Sequence, residues 1–570
     1  MLREWLAETH PSGFELRRHF FLRFFDSELI ADPSEAKVVA GGAFGVLVSL
    51  SLIFCPAYYH KYRVLMELGS PEPYRRAVLG DVLFLITLVM SIAALLTVLE
   101  WAELFPGPRD YLALAALPVK MRDIFTAKFT ALFTLAFVVI VGAALVPSLM
   151  LPAIMLGRYG MDALWHVLGL FLGSLLGGCF VFFTLVAMQG ALLNLIPIRQ
   201  FARVSLAVQG LLLAALLGGL PFVFSIPDVH NRADDLSGGW SYAPPFWFFG
   251  IDQIVLGNRD ALPLARAAIV ALLVSAAVAV LGYWWSYWRH RVRVLESPAA
   301  GSAESRTYWP DVFSEYLMPI DRTLGVFAFI GKSLGRSRQH RLILMTCAGI
   351  AIYFISEGSA GIVFSNSAIS LSTNAVREAA IAIPLAFSLL LLAGFRYLFR
   401  LPVEFRANWV FRITEPGHAN EMLAGVELFF FIWGAAPIAI FTILTEVILL
   451  GASMGLIVTI DCLLISLILI EVLLFSFERI PFTSSYVPGQ RPLLESLLKC
   501  SVIASVYIWG LASLENLCLR TRVGQIILIA TLGIAWWQLR RARLKSGRTR
   551  RITFSEEADP AVQLLGIDRD

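Results

Sequence analysis

The chain has 570 residues, of which 58% are hydrophobic and only 15% charged, against about 25% charged in a soluble domain. With a mean hydropathy of +0.73, this excludes a soluble globular protein and points to a polytopic membrane protein. The net charge of +4 carries little by itself, because the loops that hold the charges decide.

The chain opens with about 37 residues that are too long and too acidic for the n-region of a cleavable signal peptide. Within them "FELRRHFFLRFFDSELI" mixes Phe20, Phe21, Phe24 and Phe25 with Arg17, Arg18 and Arg23. That mixture predicts an amphipathic helix on the cytoplasmic membrane surface, or alternatively a cytosolic helix packed on the bundle. A membrane span needs about 20 apolar residues. Twelve runs qualify: 38–59, 81–101, 129–155, 164–190, 204–226, 264–288, 342–365, 377–399, 423–450, 455–478, 498–517 and 522–540. Open strands cannot span lipid, and no alternating pattern suggests a barrel, so the fold class is all-α.

Orientation follows from Lys and Arg near the span ends. The tail "RRARLKSGRTRR" (540–551) suits the cytoplasm. So does segment 289–341, with Arg289, Arg291, Arg293, Arg306, Arg322, Lys332, Arg336, Arg338 and Arg341. Loop 227–263, with five Asp against Arg232 and Arg259, suits the outside. Twelve spans with both termini inside satisfy all three and place loop 102–128 in the cytoplasm. Loop 60–80, with Lys61, Arg63, Arg75 and Arg76, then falls outside; it is an exception, or the first span is misdrawn.

A shift of 298 residues lays the second span on the eighth and the third on the ninth, with Pro118 on Pro416 and Asp123 on Glu421. This is a repeat of pattern. The expected organisation is an interfacial segment (1–37), a first six-helix half (38–288), a cytoplasmic linker (289–341), a second six-helix half (342–540) and a tail (541–570). The join carries the linker-like run "SPAAGSAES" (297–305).

Other features are read more briefly. Gly169, Gly173 and Gly177 share one helix face and allow close helix contact. The aromatic outer loop, with Trp240, Tyr242, Trp247 and Phe248, suits either a short helix over an exit or plain interfacial anchoring. Five acids lie in apolar runs: Glu427, Glu446, Asp461, Glu471 and Glu515. An ionisable group in lipid faces a cavity or a partner. Glu427, Glu446, Asp461 and Glu471 are therefore candidates for a polar substrate path or proton relay, or else ties between helices. "GVFAFIGKSL" (325–334) has five residues between Gly325 and Gly331 where a P-loop needs four, so no ATP site is expected. The six cysteines (Cys55, Cys179, Cys347, Cys462, Cys500, Cys518) form no CxxC or other metal-type spacing. No metal site, catalytic triad or nucleic-acid signature is found.

Loop 102–128 holds more chemistry than a connection needs. "PRDYLALAALPVKMRDIFTAKF" reads as two short helices broken at Leu117-Pro118. Met121, Ile124 and Phe125 form an apolar stripe, and Lys120, Arg122 and Asp123 stand elsewhere on the surface. It suits docking to a soluble partner, or equally a solvated loop anchored by positive charge.

The stretch resembles the element between the second and third spans of ABC-2 type ATP-binding-cassette exporter permeases. Those carry Arg-Asp, an apolar run, Leu-Pro-Val, a basic-acidic-Ile step and a Lys. Here these are Arg109, Asp110, Leu117, Pro118, Val119, Arg122, Asp123, Ile124 and Lys128. "PVEFRANWVFRITE" (402–415), "RSRQHRLIL" (336–344), "IPFTSSYVPGQ" (480–490) and "PPFWFFGIDQIVLGN" (244–258) are similar to the large two-half bacterial members of that group. The resemblance implies a non-enzymatic permease in the bacterial inner membrane, a bound ATPase subunit that holds the ATP, and no cofactor of its own. A homodimer remains open. It implies ATPase contacts at Arg109, Asp110, Leu117, Pro118, Arg122, Asp123 and Lys128, and at Asn408, Trp409, Arg412 and Glu415 in the second half. There "TEPGHAN" replaces Leu-Pro-Val, so the halves would dock unequally. The rival expectation is a proton-driven secondary transporter working through Glu446, Asp461 and Glu471.

Overall fold

The computed structural model describes residues 11–23, 55–67, 71–105, 121–226, 242–290, 321–337, 340–350, 352–353, 374–401, 407–414, 419–475, 477, 479–483, 503–504, 506–547 and 552–554. Every regular element among them is helical. Nine of these helices are long and apolar enough to cross a membrane. They correspond to the second to sixth, eighth to tenth and twelfth expected spans. Of the other three, 38–54, 354–365 and 498–502 lie outside the described residues, while His340–Ile350 is an apolar helix too short to cross alone. The chain divides into two compact units, Met1–Ala303 and Glu304–Asp570.

In the first unit the helices are α1 (Pro11–Arg23), α2 (55–67), α3 (Pro71–Leu99), α4 (Met121–Tyr159), α5 (Ala163–Leu195), α6 (Ile198–Phe224), α7 (Pro244–Val255) and α8 (Leu262–His290). Prolines open α3 and α7, where their fixed φ suits a first turn and their missing N–H is not needed. α5 is the centre and packs on α3, α4, α7 and α8. Its glycines allow this. A Cβ on Gly169 would meet Asp252 Oδ1 at 2.6 Å, and one on Gly173 would meet the Phe248 carbonyl at 2.9 Å. The small-residue face is therefore the seat of α7, the short helix that precedes α8.

The described residues of the basic segment 60–80, 60–67 and 71–80, are helical, and their cations are paired. α2 extends past the expected span end to residue 67. Lys61 meets the buried Asp81 at 2.8 Å, Arg63 meets Glu67 at 3.3 Å, and Arg75 and Arg76 both lie near Glu72. Tyr62 also donates to Asp81, at 2.6 Å.

The second unit contains α9 (Asp321–Arg336), α10 (His340–Ile350), α11 (Asn374–Leu398), α12 (Asn408–Thr414), α13 (Ala419–Phe430), α14 (Ala436–Leu450), α15 (Ala452–Leu474), α16 (Leu511–Cys518) and α17 (Arg522–Gly547). A π-helical turn, Phe431–Ala435, joins α13 to α14. Gly451, at φ 86°, makes the tight turn from α14 to α15, a conformation open to glycine at little cost. α15 packs on α11, α14 and α17.

Candidate functional site

The site begins where α3 ends. After Leu99 the chain tightens into a 3₁₀ turn, Glu100–Glu103, which leaves helix-end carbonyls without i+4 partners. Three neighbouring helices supply side-chain donors. Gln209 of α6 donates to the Val98 carbonyl at 2.8 Å, and Gln189 of α5 to the Trp101 carbonyl at 2.7 Å. The Tyr283 hydroxyl of α8 donates to the Leu104 carbonyl. Trp101 in turn donates its indole N–H to Ser205 at 2.9 Å. The entry to loop 102–128 is thus bolted to α5, α6 and α8. Gln189, Gln209, Ser205 and Tyr283 had not been singled out from sequence, although a glutamine inside an apolar run must find a partner.

The exit of the same loop is α4, one helix from Met121 through the third span, so the second short helix expected after Pro118 is the start of that span. Its stripe is already occupied. Ile124 packs with Leu16 and Phe20 of α1, and Phe125 sits edge-on to Tyr283. α1 therefore rests on α4, in line with the packed alternative for this segment. Lys128 is 1% exposed, lies 2.7 Å from Glu103 and sits over the Phe20 ring. It anchors the loop's exit to its entry and is not a surface contact. Arg122 is exposed and Asp123 half-buried. Arg109, Asp110, Leu117 and Pro118 lie outside the described residues.

In the second unit, α9 rests on α13 as α1 rests on α4. Arg322 meets Glu421 at 3.1 Å, Thr323 donates to the Glu421 carbonyl at 3.0 Å, and Gly425 leaves room for the Thr323 carbonyl. α12 is moored by Phe411, whose ring meets Phe329 of α9 edge-on at 5.0 Å. Its opposite face exposes Trp409, Arg412 and Ile413, with Trp409 65% exposed. Asn408 is half-buried, and Glu415 lies outside the described residues. The end of α11 is capped by Phe482, whose N–H donates to the Phe399 carbonyl at 3.3 Å.

The intramembrane acids separate into two groups. Glu427 and Glu471 meet on Arg543 of α17, and Arg540 adds a 3.5 Å contact to Glu427. They tie α13 and α15 to α17. Glu446, Asp461 and Glu515, on α14, α15 and α16, are fully or almost fully buried, and their carboxylate oxygens accept no hydrogen bond among the described residues. Glu446 and Asp461 lie close enough to Glu515 to interact with it electrostatically. Among the described residues no group of three His, Cys, Asp or Glu is arranged to hold a metal.

α7 is not among the nine helices long and apolar enough to cross a membrane, and it carries a buried acid. Asp252 accepts from the Gln253 side chain at 3.0 Å through one oxygen, and its other oxygen, against Gly169, has no donor among the described residues. Burial pushes its carboxyl up to about 7, against the Gln253 hydrogen bond.

Compared with family models, curated proteins and solved structures, the chain matches none of them.

Two outcomes follow. Glu103→Ala removes the 2.7 Å carboxylate partner of the buried Lys128 ammonium and costs about 2 kcal/mol of stability. Lys128→Met leaves a part-exposed carboxylate that water can reach and costs about 1 kcal/mol. Denaturant titration in detergent checks that order, and the reverse order rules out the anchor. Asp252 binds its proton more tightly folded than unfolded, so stability is greatest below about pH 4, falls by a few kcal/mol as pH rises to about 7, and is flat above. Asp252→Asn removes that slope in thermal melts taken from pH 4 to 8.

Proposed function

We propose that this chain is the membrane-spanning permease subunit of an ATP-driven ABC-2 type exporter. In this reading twelve spans form two six-helix halves with both termini in the cytoplasm of a bacterium. The observation that carries it is α12, a short helix moored by Phe411 that offers Trp409, Arg412 and Ile413 to solvent. Trp and Arg anchors beside apolar surface are what a protein partner's pocket takes. A separate ATPase would dock there and on the loop that carries Arg109, Asp110, Arg122 and Asp123. Its closure on ATP would push the loop, and the bolted end of α3 would pass the push to α5, α6 and α8. The path between halves would then alternate between inward and outward access. The chain itself makes and breaks no bond.

A second reading, a proton-coupled secondary transporter, draws support from one observation. Glu446, Asp461 and Glu515 are buried together with no donor among the described residues, and intramembrane acids of this kind serve proton relays.

Co-purification of the tagged chain from mild detergent tests the choice. Wild type is expected to bring down a soluble ATPase. Asp110→Ala/Asp123→Ala and Trp409→Ala/Ile413→Ala are expected to lose it by about tenfold or more, the value of one interface anchor. If no ATPase accompanies wild type under any nucleotide condition, the exporter reading fails. Loss of transport in Glu446→Gln/Asp461→Asn would then favour the second.

A further inference from the structure

Between α2 and the start of α3 lies a cavity of about 550 Å³, lined by His60, Lys61, Val64, Leu65, Pro73, Arg76 and Ala77. That volume is in the range of small-molecule sites, about 300–1,000 Å³. Its polar groups are all cations or a histidine, and its walls are aliphatic. Lys61 is held in place: its ammonium gives two hydrogen bonds to Asp81, at 2.8 and 2.9 Å, and lies near the Tyr58 and Tyr62 rings. It is still part-exposed, at 30%.

A further observation indicates what fills the cavity. The cavity straddles the point where α3 turns from charged to apolar. Arg76 is the last basic residue before a run that, apart from Asp81, is uncharged from Ala77 to Leu99. In a membrane-spanning helix that step marks the headgroup layer, and the "YYHKY" of 58–62 adds tyrosines suited to the same depth.

We infer that this cavity is a binding site for the phosphate headgroup of an anionic phospholipid, with Arg76 and Lys61 on the phosphate, His60 at the rim, and an acyl chain along Val64, Leu65 and Ala77. Basic pockets between membrane helices take lipid headgroups by this chemistry. The site rests on the chain being embedded in a membrane and not on which transport mechanism it uses.

The test is native mass spectrometry of the full chain released from nanodiscs of phosphatidylcholine with or without phosphatidylglycerol. Wild type is expected to retain a phosphatidylglycerol. His60→Gln/Arg76→Gln is expected to retain about tenfold less, the loss of a charge-assisted hydrogen bond. Arg75→Gln removes the same charge one residue outside the cavity and is expected to behave as wild type. Val64→Trp fills the cavity without changing charge and is expected to lose the lipid too, which covers the case where the double variant folds poorly. Equal retention in wild type and both cavity variants overturns the site, as does equal loss in Arg75→Gln. Displacement of the lipid by millimolar inorganic phosphate assigns the cavity to a free anion and overturns the lipid.

Discussion

A helix whose end is buried among other helices still has carbonyls to satisfy, and water does not reach them. The end of α3 meets this constraint with side chains from three other helices: Gln209, Gln189 and Tyr283 reach the carbonyls of Val98, Trp101 and Leu104. An unpaired buried carbonyl costs about 1–3 kcal/mol, so the four helices are not independent at this level. Lys128 closes the arrangement by joining α4 to Glu103. Whatever pushes the loop between α3 and α4 pushes a body that includes α5, α6 and α8. The proposed coupling depends on this stiffness more than on any surface residue of the loop.

The second unit reaches a similar end with different parts. Phe482, at a φ of 66° that is unusual for a bulky residue, caps the Phe399 carbonyl. Arg396 caps the Leu473 carbonyl at 3.0 Å while stacking on Phe477. In both units a short helix, α1 or the amphipathic α9, lies on the first turns of the helix that follows the loop. An ion pair to an acid supports this in the second unit, where Arg322 meets Glu421, and apolar packing through Leu16 and Phe20 supports it in the first.

Much of this was legible in sequence because apolar runs of about 20 residues have few alternatives. The all-helical class follows from the runs, and nine described helices fall where runs were drawn. Partnering was harder to read. Lys128 looks like a surface contact by resemblance, yet its neighbour Phe20 is over a hundred positions away in sequence and buries it. Ile124 and Phe125 form the expected stripe, but a stripe does not say whether another chain or its own α1 covers it. Loop 60–80 reads as an exception to the orientation rule, and a count of Lys and Arg does not show that its cations pair with Glu67, Glu72 and Asp81. Glu427 and Glu471 carried an open choice between path and tie, and only the position of Arg543 places them in an ion pair. The sequence signal for these caps is Gln-Gly at 189–190 and again at 209–210, each inside an otherwise apolar run.

The claim that the loop and the bundle move as one body is tested most directly by hydrogen–deuterium exchange of wild type and Gln189→Leu/Gln209→Leu in nanodiscs. Loss of the two caps is predicted to speed exchange together at 98–105 and at the first turns of α4, around 121–130, by about tenfold or more for one lost buried hydrogen bond. Faster exchange confined to the substituted helices, with 98–105 and 121–130 unchanged, would contradict it.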